Sequence, residues 1–136
     1  PGTLWVKQWD RQRTLLGAGD MKNVTVEGGE ELILTSKVRV DNLTVKGKSS
    51  IDLGDAYVNK MVLKSIGGDE YDRPINVNLK AGNKGLVNLM VINCSASVDG
   101  LTDVRCKRIE LTPAKDRKMD LEIRGIWHKT VIQGNE

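Results

Sequence analysis

Val24-Thr25-Val26-Glu27-Gly28 alternates apolar and polar residues and closes on a turn-former, and the same theme returns along the chain. It recurs as Leu43-Thr44-Val45-Lys46-Gly47, Met61-Val62-Leu63-Lys64-Ser65, Leu89-Met90-Val91-Ile92-Asn93 and Ile109-Glu110-Leu111-Thr112-Pro113, with a partial copy at Val131-Ile132-Gln133-Gly134. The copies start 19, 18, 28, 20 and 22 residues apart. The long interval holds a polar insertion, Gly67-Gly68-Asp69-Glu70-Tyr71-Asp72-Arg73-Pro74, and without it the spacing returns to about one repeat. Repetition at such a period marks a chain built by stacking similar units.

Each complete copy is followed by a second alternating segment: Leu32 and Leu34, Ile51 and Leu53, Val77 and Leu79, Ala96 and Val98, Leu121 and Ile123. A shorter third segment closes most repeats, at Val38 and Val40, Ala56 and Val58, Leu86 or Val87, Val104, and Ile126 or Trp127. Period-2 alternation is the pattern of half-buried strands. Three short strands and three corners per repeat leave no room for hairpins, but they do make one coil of a solenoid. The expectation is an all-β fold, a single-stranded parallel β-helix (β-solenoid) of about five to six short coils. Residues 1–22 are assigned to an N-terminal capping segment and 23–136 to the β-helix. Trp5 and Trp9, four apart, suggest a short amphipathic helix or irregular cap over the first coil. Asn23, Asn42 and Asn88 precede first strands, where a sharp corner favours Asn, and are expected to stack as a ladder. The strings Asn23-Val24-Thr25, Asn42-Leu43-Thr44 and Asn93-Cys94-Ser95 match the glycosylation pattern, which turn Asn followed by strand Thr produces without any modification.

Composition agrees with one folded domain. The 136 residues are 39% hydrophobic and 29% charged, with no Phe, so Val, Leu and Ile must fill the core. No apolar run approaches the length of a membrane span. The chain starts at Pro1 without Met, as a processed or excised piece does, and reads as soluble, with cytoplasmic and secreted compartments both open. Beyond the last copy no cap is apparent, and an uncapped coil exposes strand edges and core. A longer parent protein, a partner or a second copy is expected to cover that end.

Alternation sorts the charges by face. Lys37, Arg39, Lys60, Lys84, Arg105, Lys107, Arg108 and Lys129 fall on the third face and its closing corner, predicting a basic stripe. Glu30, Glu31, Asp52, Asp55, Asp99, Asp120 and Glu122 fall on or beside the second, predicting an acidic one that Lys80 and Arg124 dilute, beneath a net charge of only +3. On the first face Val62, Met90 and Ile92 are expected to point outward, beside Thr25, Thr44 and Ile132, as an apolar patch that is either an interface or covered by the 66–74 loop or the N-terminal segment.

Chemistry is sparse. Cys94 and Cys106 are the only cysteines and His128 the only histidine, which excludes a disulfide framework, a multi-His metal site and most nucleophile triads. One loop-bearing edge remains. Asp69, Glu70, Tyr71, Asp72 and Arg73 leave one corner, and Lys115 and Arg117 leave the same corner two coils later. Hard oxygen ligands beside basic residues suit calcium and an acidic polysaccharide, as in parallel β-helix polysaccharide lyases. That analogy is of architecture only.

The leading functional expectation is a non-enzymatic recognition or scaffolding module that binds a protein partner or another copy of itself. It needs no cofactor and no metal. Short solenoids of this general shape occur in bacterial filament-forming proteins, adhesins and tail fibres, secreted effectors and cyclase-associated actin regulators, a resemblance of architecture without a shared motif. The alternative is a carbohydrate-active protein that binds or cleaves an acidic polysaccharide with calcium. A third reading sets the basic stripe on nucleic acid or anionic lipid, and the lack of an aromatic platform interleaved with the basic residues argues against nucleic acid.

Overall fold

Val, Ile and Thr lose side-chain freedom in a helix and fit a pleated surface, so the repeated apolar-polar pairs fold as strands. In a computed structural model, which describes residues 2–7, 13–28, 31–65, 74–112 and 119–134, the described residues form thirteen strands and no helix. They are β1 (Thr3–Lys7), β2 (Arg13–Leu16), β3 (Gly19–Glu27), β4 (Glu31–Leu34), β5 (Val38–Lys46), β6 (Ser49–Asp52), β7 (Tyr57–Lys64), β8 (Ile75–Lys80), β9 (Leu86–Ile92), β10 (Ala96–Val104), β11 (Cys106–Leu111), β12 (Leu121–Ile126) and β13 (Val131–Gly134). Odd-numbered strands stack in order into a seven-stranded sheet and even-numbered ones into a six-stranded sheet. Every neighbouring pair is parallel. The fold is a parallel β-solenoid of about five turns.

The third strand of one coil and the first strand of the next are continuous in hydrogen bonding, so two sheets replace the three separate strands read from the sequence. The corner between those two walls survives as a slip in the alternation. Inward residues normally step by two, as from Val38 to Val40 or Leu43 to Val45, but step by three from Val40 to Leu43, Val58 to Met61, Val87 to Met90 and Cys106 to Ile109, all buried. The backbone bends there, and successive coils bend at the same register.

Inside, side chains stack into columns. Val24, Leu43, Met61, Met90 and Ile109 form one, and Val26, Val45, Leu63 and Ile92 another, all fully buried. Each such side chain contributes about 1.5–3 kcal/mol by leaving water. The columns correct the expected apolar patch: Met90 pairs with Met61 and Ile92 with Leu63, so both are core. The outward residue of that stretch is Val91, beside half-buried Val62 and Thr44. Ile132 likewise aligns with inward Ile109, and Val131 aligns with Arg108.

The N-terminal segment also differs from the expected helix or irregular cap. Its described part is strand: β1 pairs with β3 and β2 with β4 in unbroken register. Leu4 and Leu16 pack on the core, while Trp5 stands 64% exposed. The segment covers the next coil by being one more winding.

Polar columns run outside. Asn42 donates its side-chain amide to Asn23 Oδ1 at 3.1 Å, and Asn23 donates to Thr3 Oγ1 at 3.5 Å. Asn88 joins a different ladder, donating to Asn59 Oδ1 at 3.2 Å, because Leu89 and not Asn88 is in register with Lys60 and Asn42.

One irregularity breaks the register. Between Asp99 and Val104, which pair with Arg124 and Ile126, β10 carries Gly100–Asp103 opposite the single residue Gly125. The surplus residues arch outward, with Asp103 in the left-handed region at φ 55° and Thr102 Oγ1 holding the backbone of Ala81 through bonds of 2.9 and 3.0 Å.

A single defect shows in the core. The Ser49 hydroxyl is buried in line with Val77 and Val98 and has no hydrogen-bond partner among the described residues. A buried hydroxyl left unpaired costs about 1–3 kcal/mol. Ser49→Ala is therefore expected to raise the urea midpoint, with a gain of about 1 kcal/mol; a lower midpoint would show the hydroxyl to be engaged.

Candidate functional site

The basic residues sit where alternation puts them, on the third wall and its corners, but columns interrupt them. Arg39 lies between Asp20 and Tyr57 and stacks on the Tyr57 ring at 4.6 Å. Lys60, half-buried, lies between Asn42 and Leu89. The turn Leu53–Ala56 puts exposed Asp55 at the corner that Lys37 occupies one coil earlier and Lys84 one coil later; Asp55 Oδ1 accepts a hydrogen bond from the Lys84 N–H at 3.0 Å. The eight cations are therefore not one stripe.

They concentrate instead toward the C-terminal coils. Cys106 points inward, which turns its neighbours Arg105 and Lys107 out, and Arg108 follows across the corner. The Trp127–Thr130 turn lies on the next winding, bonded through Trp127 N–H to the Val104 carbonyl, and carries exposed His128 and Lys129. On the previous winding the Val87 N–H bonds the Arg105 carbonyl, and Lys84 occupies the turn before it. Arg108 is engaged, with Glu110 at 3.1 Å and Gln133 as partners. Lys84, Arg105, Lys107 and Lys129 make no ion pair among the described residues.

The acidic wall is diluted as well. Asp52 stands beside Lys80, and Glu31 aligns with Ser50. Arg124 reaches Glu122 at 3.1 Å and Asp99 at 3.8 Å. Glu30 lies outside the described residues, as do the whole loop edge assigned to calcium and polysaccharide, Asp69, Glu70, Tyr71, Asp72 and Arg73, and its partners Lys115 and Arg117. Among the described residues no group of three His, Cys, Asp or Glu side chains is placed to hold a metal, and no helix is long and apolar enough to cross a membrane.

At the C-terminal end the columns emerge. Val131 is 52% and Ile132 53% exposed, although Ile109, in register with Ile132, is fully buried. Glu110, Leu111, Thr112, Ile132, Gln133 and Gly134 line an open depression there of about 520 Å³. Leu121, Ile123 and Ile126 are only partly covered. Among the described residues no strand pairs with the outer edges of β12 and β13. Ile132, expected from the sequence to point outward, lies on the inward side of its strand.

Both cysteines are buried thiols. Burial pushes the Cys106 thiol from 9.0 up to about 11, against backbone hydrogen bonds that act the other way; its Sγ donates to the Arg108 carbonyl at 3.3 Å. The thiolate is the nucleophile, so Cys106 is inert near neutral pH. The folded protein holds this proton more tightly than the unfolded chain. Its contribution is complete below pH 9 and is lost as pH rises toward 11, by roughly 2–3 kcal/mol. Urea titrations across that window are expected to show this step in the wild type and a smaller fall in Cys106→Ala. Equal falls would place the thiol in contact with water.

No protein-family model, no curated protein and no solved structure matches the chain. The function has to be argued from the surfaces themselves.

Proposed function

We propose that the protein is a non-enzymatic recognition and scaffolding module, and that its open end takes a second copy of the chain. The observation that carries this reading is the emergence of a sealed apolar column at Ile132, more than half exposed, beside the equally exposed Val131. Exposed apolar surface beside an unpaired parallel strand edge favours the addition of another strand with alternating side chains. A second copy offers such an edge, since β1 and β2 terminate the same two sheets at the opposite end. Leu4 lies in the column that runs through Val24 to Ile132, so apolar residues meet apolar residues when sheets continue from copy to copy.

Sedimentation over a wide concentration range tests the reading. Mass that grows with concentration in the wild type, and that stays at one chain in Val131→Lys/Ile132→Lys, is the expected result. A wild-type monomer at every concentration would overturn it.

A further inference from the structure

A second surface stands apart from the end face. Lys84, Arg105, Lys107 and Lys129 occupy three adjacent windings of the third wall and its corner, all exposed and none in an ion pair among the described residues. Strand geometry spaces Arg105 and Lys107 by about 7 Å, and windings lie about 4.8 Å apart, so the charges cover roughly 10 Å in each direction. Two acidic residues border the array, Asp103 just before Arg105 and Asp55 on the winding before Lys84, where its Oδ1 accepts from the Lys84 N–H, and Arg108 is already paired with Glu110. Trp127 lies within the array, half-buried, with His128 against its ring at 5.9 Å and the Lys129 ammonium 5.5 Å from the ring centroid.

We propose that this patch docks the solenoid on an anionic bilayer surface. The cations spread in two dimensions over a rigid wall, which presents them together to a plane of headgroups, whereas a linear polyanion would follow one row of them. The half-buried Trp127 suits the boundary between headgroup and water, where an apolar ring with a polar edge is stable. Each basic residue close to such a surface adds a modest, additive attraction that salt screens. Four give weak binding to a single chain. An array of copies would bind far more tightly by multivalency, although the patch itself does not depend on assembly.

Flotation with vesicles of phosphatidylcholine, alone and mixed with phosphatidylserine, tests the proposal. Binding is expected only with phosphatidylserine, and to fade as salt rises. Replacing Arg105, Lys107 and Lys129 with Ala is expected to weaken it roughly a hundredfold. Replacing Lys22, Lys48 and Lys64, exposed cations outside this patch, is expected to weaken it by less than about threefold, the residual long-range effect of net charge. Absence of phosphatidylserine dependence, or equal losses in the two triple variants, would overturn the assignment. So would free polyglutamate or single-stranded oligonucleotide bound as tightly as the mixed vesicles through the same residues, because the ligand would then be a linear polyanion.

Discussion

Gly125→Ala is expected to abolish stable folding or to remove at least about 4 kcal/mol, a large part of the roughly 5–15 kcal/mol that holds a domain of this size together. Gly125 has φ 67°, a conformation that costs a side-chain-bearing residue about 1–2 kcal/mol. A methyl group there would run into the Gly100 carbonyl oxygen, and one on Gly100 into the Gly125 oxygen. Both obstacles are backbone and cannot rotate away. The inward column that reads Leu32, Ile51 and Leu79 ends at Gly100 because β10 leaves its ladder at this point and the two chains close on each other. Urea unfolding of Gly100→Ala and Gly125→Ala, with Gly17→Ala as the control whose added methyl meets nothing within 4 Å, measures the effect. Near-wild-type midpoints for both would show that the windings can separate at this point without loss.

Met90→Asp is expected to be equally damaging, by more than about 5 kcal/mol, whereas Val62→Asp costs about 1 kcal/mol. Met90 is fully buried between Met61 and Ile109, where a carboxylate finds neither water nor a counter-charge. Val62 faces outward beside Val91. Circular dichroism and urea midpoints of the two variants distinguish the registers sharply. If Met90→Asp folded normally and Val62→Asp did not, the strand would be turned over.

That pair of residues also shows where the sequence was readable. Repeats with strict alternation, such as Val24 and Val26 or Leu43 and Val45, settle both the strand and its inward side. Leu86–Ile92 is apolar at nearly every position, so period-2 reasoning cannot choose between its two faces. The three-residue step from one wall to the next resolves it: counting from Val87 lands on Met90. Trp9 lies outside the described residues, and the helix expected around Trp5 fails on its neighbours, because stretches as short as Thr3–Lys7 and Arg13–Leu16 cannot separate the helical period from the strand period. The basic stripe failed on columns. Its residues were assigned to the correct wall, but Asp55, Tyr57 and Leu89 are inserted between them in the stacking direction, which no within-repeat pattern displays.

The bend shared by successive coils has a modular consequence. Asn42 and Lys60 hold equivalent places at one corner, so residues 43–60 constitute a complete circuit that returns the backbone to its starting angle one storey higher. Excising that circuit joins Asn42 to Met61 with every remaining side chain still aimed as before, and duplicating it lengthens the rod by one storey. Length in this architecture can therefore change by whole circuits, while the loss of a single residue within a strand would turn core outward.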